Sequence, residues 1–219
     1  MKEPDIEVYV SVMDEIKRRT AVVYSFLSGG SSAVYRVTQV ESIYLQIRMI
    51  LELVALASLA ANRPIFEENR KKFSKHWNPA DILKDIELLN PGYYPKPIKE
   101  TPSERKGVVN DLLPIESGYL TKAELIEIHG RTGNILHARN PFGKGLDVAE
   151  YERHVPEIME KIRLLLNCHE IRLLGEHDFF YLIHMKEDLD DRVHSYKFQQ
   201  TIPPSSAATP AAGQRQAET

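Results

Sequence analysis

The chain has 219 residues, of which 42% are hydrophobic and 27% charged, the balance of an ordinary globular protein of one large or two small domains. A formal net charge of -3 excludes a long nucleic-acid footprint held by counterion release, while a compact local basic site stays allowed. One cysteine, Cys168, excludes an internal disulfide and every cysteine-rich zinc site, and fits a reducing compartment.

The first ten residues, MKEPDIEVYV, lack the cationic and apolar blocks of a signal peptide. Pro4 and the recurrence of Ile6, Val10, Met13, Ile16, Val23 and Leu27 predict a first helix over 5–27, which Ser28-Gly29-Gly30-Ser31-Ser32 breaks. A second helix is expected over 33–62, ended by Arg63-Pro64. Its apolar run from Met49 to Ala61 is too short for a bilayer and carries Glu52, so a core helix and no membrane span are expected, while the N-terminus and the single cysteine predict a cytoplasmic protein. A shorter amphipathic helix over 64–76 turns Phe66 and Phe73, with the following Trp77, inward and leaves Lys71, Lys72 and Lys75 to water.

Asn78-Pro79 starts a further helix over 81–89. The prolines of NPGYYPKPIKETP then argue against helix and for an ordered, extended strap, which continues as loop to residue 118 with one helical turn near 108–112. Thr121 with Glu124, and Asp147 with Glu150, have capping-box spacing and begin two more helices, the second reaching Asn167 past Pro156. The segment HEIRLLGEHDFFYLIHM reads as a hairpin. Pairing Leu174 with Phe179 places Ile171, Leu173, Phe180 and Leu182 on one apolar face and His169 opposite His184.

The expectation is one mainly α-helical domain over 1–200, a helical bundle with a small C-terminal β-hairpin. Its helical part covers about 4–167, the proline-rich strap 90–118 and the hairpin 169–186, and a disordered tail follows over 201–219.

Chemistry concentrates in TKAELIEIHGRTGNILHARNPF, residues 121–142. Arg131, Asn134 and His137 follow one another at intervals of three on a helix, so Asn134 can bridge the other two. Arg139 and Asn140 stand just beyond, where Pro141 stops the helix. An arginine that holds two phosphate oxygens and a histidine that moves a proton together suit RNA cleavage through the 2′-hydroxyl, with no metal and no cofactor. On the second helix Glu41, Arg48 and Glu52 share a stripe. That stripe is either a solvated face with a structural Arg48–Glu52 pair or the wall of a groove in which an acid orients Arg131.

The run Arg131-Thr-Gly-Asn-Ile-Leu-His137 resembles the HEPN superfamily, helical proteins of bacterial defence and toxin systems whose active members carry Arg followed four to six residues later by His. The resemblance covers roughly 5–167 and implies a metal-independent endoribonuclease of a toxin-antitoxin or defence module, with motifs meeting across a homodimer. Arg131 would then clamp phosphate and His137 act as general acid or base, supported by Asn134, Arg139, Asn140, Arg48, Glu52 and Glu41. Its partners would be RNA or a protein inhibitor. Spacings that the motif allows also occur at Arg70 to His76, Arg163 to His169 and Arg172 to His177.

The rival expectation is a non-catalytic helical interaction protein in which those polar residues order the Pro141-Phe142-Gly143 turn and a dimer surface. Two further constellations carry less. The His169–His184 pair lacks a third ligand, and Cys168 beside His169 lacks an orienting group, so Cys168 reads as structural.

Overall fold

Tyr9, Met13, Ile16 and Val23 recur at intervals of four, three and seven residues and bury one stripe of the first helix, α1 (Ile6–Leu27). The computed structural model describes residues 6–60, 79–90, 92–138, 142, 145–173, 178–187 and 190–199. Gly29, at φ 77°, turns the chain after α1, and the hydroxyls of Ser25 and Ser31 meet at 2.7 Å across that turn. The second helix, α2 (Arg36–Ala60), starts three residues later than its pattern suggested, because Val34 adopts a left-handed φ of 43° just before it.

Burial around α2 extends over most of its circumference: Val40, Ile43, Tyr44, Ile47, Ile50, Leu51, Val54, Ala55 and Ala57 are all inaccessible or nearly so. It touches α1 on one side and, on others, α3 (Pro79–Leu89), α4 (Lys122–Leu136) and α5 (Val148–Leu166). Pro79 opens α3 at a position where its missing N–H costs nothing. At the start of α4 the reciprocal capping box forms as its spacing predicts, with Thr121 Oγ1 accepting from Glu124 N and Glu124 Oε2 from Thr121 N. Lys161 on α5 adds a 2.7 Å ion pair to the same carboxylate, and these partners hold the Glu124 pKa down at about 2. Asp147 caps α5 by accepting from Glu150 N at 3.0 Å.

The expected helical bundle with a small hairpin is corrected here. The chain is an α+β protein whose helices pack with a curled five-stranded antiparallel sheet, in the order β2-β1-β3-β4-β5. The strands are β1 (Lys96–Pro102), β2 (Asn110–Pro114), β3 (Cys168–Ile171), β4 (Phe179–His184) and β5 (His194–Gln199).

The proline-rich strap and the loop after it form the first hairpin, with Ile98 opposite Pro114 and Pro102 opposite Asn110. No helical turn forms at 108–112, since Asn110 to Leu112 belong to β2. Prolines are tolerated because Pro102 and Pro114 end their strands and β1 pairs with β3 only briefly, through Lys96–Glu170 and Pro97–His169. Tyr93 and Tyr94 are buried just before β1, and the Tyr94 hydroxyl donates to Leu120 O at 2.9 Å.

The second correction is one of register. Cys168, not His169, lies opposite His184, while His169 faces Ile183 and Ile171 faces Tyr181. A one-residue shift exchanges every side chain between the two faces. His169, Ile171, Tyr181 and Ile183 therefore share one buried face, and Phe180, Leu182, Cys168 and His184 share the other. The β5 strand has no counterpart in the sequence expectations, because HSYKFQ is largely exposed and its alternation rests on two aromatics, Tyr196 and Phe198. The helix expected over 64–76 and the tail over 201–219 lie outside the described residues.

Candidate functional site

The polar stripe of α2 does meet α4, but through different residues from those the sequence suggested. Arg48 Nε donates to Glu52 Oε1 at 3.0 Å, one helical turn along. The same oxygen lies 3.0 Å from His129 Nε2. Arg48 Nη1 donates to Thr132 Oγ1 at 3.2 Å, and the Thr132 hydroxyl donates in turn to His129 O at 2.7 Å. His129 and Thr132 are buried, with Thr132 wholly inaccessible. The result is a circuit of four side chains that fastens α2 to α4, each partner spaced three or four residues from the next on its own helix.

Arg131 is not in that circuit, so the expected groove in which Glu41 or Glu52 orients its guanidinium is replaced by the Glu52–His129 contact. Its charge lies near Tyr44, whose phenol burial raises to about 12 and whose hydroxyl donates to Tyr151 O at 3.0 Å. His137 is the exposed C-cap of α4 and lines a cavity of about 250 Å³ together with Glu41, Val37, Ile135, Leu136, Ala138 and Leu146. Arg131 does not line it. Asn134 is exposed on the intervening turn, and Arg139 and Asn140 lie outside the described residues.

Neither Gly130 beside the motif nor Gly133 within it serves close packing. A Cβ at Gly130 would meet nothing within 4 Å, and one at Gly133 only His137 Cδ2 at 3.9 Å. His129 and Thr132 were missed from the sequence, although a signal exists: they stand three apart, as a pair facing Arg48 and Glu52 must.

Removing the acceptor shared by that circuit should be costly. Glu52→Ala leaves Arg48 and His129 facing each other across a helix interface without their carboxylate. A loss of ~1–3 kcal/mol in urea unfolding is expected, against little change for the solvated Glu127→Ala on the same helix as His129.

On the sheet, Cys168 offers no nucleophile in the bare chain, because burial and the nearby Glu100 push its thiol up to about 12. His169 is wholly buried, with Nε2 2.8 Å from the Tyr9 hydroxyl and Nδ1 2.8 Å from Leu166 O. Burial, offset in part by the Leu166 contact, depresses its pKa to about 4. It is a core histidine in the neutral form. Among the described residues no helix is long and apolar enough to cross a membrane. Comparison with known proteins found no matching family model, no similar curated protein and no similar solved structure.

Proposed function

We propose that the chain is a non-catalytic interaction protein that self-associates through the outer stripe of α2. The observation that carries this reading is the exposure of Leu45 and Leu56, at 45% and 42%, on the most central helix of the molecule. Eleven residues are close to three helical turns, so the two leucines stand on one line, with Met49 partly exposed between them. Antiparallel pairing about the middle of α2 sets Leu45 of one copy against the equivalent of Leu56 in a second, the self-complementarity that a twofold interface requires. The neighbouring Arg48 and Glu52 are already engaged within the chain, so they act as scaffold for that stripe rather than as reacting groups.

Sedimentation equilibrium tests the reading: wild type is expected to dimerise, and Leu45→Glu with Leu56→Glu to give a folded monomer. A wild-type chain that stays monomeric at the highest soluble concentration would end it.

A second reading, the metal-independent RNA cleavage implied by the HEPN resemblance, is supported by the cavity that joins His137 to Glu41. Because Arg131 lies off that cavity, a second copy would have to bring the guanidinium to the phosphate. Incubation with varied RNAs in chelator separates the two. Cleavage lost in both Arg131→Ala and His137→Ala favours the nuclease; dimeric protein that cuts none of them favours the interaction protein.

A further inference from the structure

Three side chains from three strands converge on the sheet face opposite His169. Cys168 and His184 are direct cross-strand partners, and Glu100 enters from β1. The Cys168 sulfur, a His184 ring nitrogen and a Glu100 carboxylate oxygen all lie within 4.8 Å of one another. Tetrahedral ligands at ~2.0–2.3 Å from a zinc ion stand ~3.3–3.8 Å apart, so rotamer adjustments of about an ångström close the set.

The surroundings point the same way. His184 Nδ1 lies 3.2 Å from Glu187 Oε1, and Glu187 accepts a further hydrogen bond from the Tyr196 hydroxyl. A carboxylate on one ring nitrogen fixes the tautomer, placing the proton on Nδ1 and the lone pair on Nε2. That Nε2 is buried and makes no hydrogen bond, although Glu100 Oε2 is 3.2 Å away. A lone pair, a carboxylate and a sulfur thus face one another, an arrangement that a shared cation relieves. An imidazolium bridging the two glutamates is the competing account, but it leaves Nε2 out of line with Glu100 and gives Cys168 no part.

We infer that Glu100, Cys168 and His184 form a binding site for a divalent transition-metal ion, with Glu187 orienting the histidine. Thiolate, imidazole and carboxylate together suit Zn²⁺ above the harder Mg²⁺ or Ca²⁺. Three protein ligands leave a fourth position. A cavity of about 400 Å³, lined by Glu100 and Cys168 together with Ile98, Arg163 and Asn167, gives it room for water or a small anion. Binding transfers the thiol proton of Cys168 to solvent as the sulfur–metal bond forms, one proton per ion.

The test uses the full chain, stripped with chelator and titrated with Co²⁺ as a spectroscopic probe. One equivalent is expected to bind, with visible bands of a four-coordinate ion and a near-ultraviolet thiolate-to-cobalt band, both abolished by Zn²⁺ competition. Cys168→Ser should remove the near-ultraviolet band. Glu187→Gln should keep it while weakening affinity ~10–100-fold. Because Cys168 is half-buried, Glu100→Gln provides a second, independent loss of affinity, with circular dichroism checking that each variant is folded. Wild type binding no more tightly than Cys168→Ser, or binding without the thiolate band, places the ion elsewhere and overturns the inference.

Discussion

Between pH 6.5 and pH 4 the folded chain is expected to lose about 3 kcal/mol of stability through one residue, His169. Its imidazole titrates near 6.5 when unfolded and is held at about 4 in the native state, where it is wholly buried. Between those values the unfolded chain binds the extra proton and the native chain does not, so acid favours unfolding. Sign follows from that difference: the contribution is intact above pH 6.5, shrinks as pH falls through the window, and is gone near pH 4.

The groups that face the ring are the Tyr9 hydroxyl, which burial keeps protonated, the Leu166 carbonyl, and at longer range His184. Urea unfolding at intervals across this range should show a slope that His169→Gln flattens, even though that variant is less stable at every pH. Equal slopes in the two proteins would mean that His169 is accessible to protons in the native state. Tyr9→Phe removes the donor to Nε2 and should cost ~1–3 kcal/mol at pH 7. Glu124 belongs to a lower window, since its depressed pKa makes its stabilisation disappear only as pH falls from 4.5 towards about 2.

Ile47→Ala should destabilise by ~2–5 kcal/mol, the range for deleting a buried branched side chain whose surroundings cannot collapse. Ile47 is wholly inaccessible in the middle of α2, where helices bear on several sides and leave little freedom to fill a void. Leu88 on α3 is 76% exposed, and Leu88→Ala should stay within ~0.5 kcal/mol. Comparable losses for both variants would contradict the central place of α2.

Much of this helical layer was readable from the chain. Apolar spacing located α1 and α2, and local chemistry marked starts: Pro79 for α3, the Thr121–Glu124 box for α4 and Asp147 for α5. These signals act within a few residues, so no knowledge of the rest of the molecule is needed to interpret them. The sheet was harder. β1 hides among prolines, and β5 alternates over only two aromatics, Tyr196 and Phe198, so each shows too little of the pattern by which a strand is recognised.

The candidate sites divide along the same line. That Glu41, Arg48 and Glu52 share one stripe follows from helix geometry alone. Which residues of α4 meet them does not, because the answer depends on the rotation and axial offset of one helix against another, and packing chose His129 and Thr132 over Arg131. Likewise the His169–His184 pair read from the sequence lacks a third ligand. A register differing by one residue put Cys168 in place of His169, and a strand some seventy residues earlier in the chain brought Glu100 alongside. Sequence by itself determined where α1 to α5 lie and which charges line their faces, since those depend on neighbours three or four residues away. The tertiary structure decided strand pairing and the partners of each polar group, because register and helix rotation are set by burying the whole apolar surface at once.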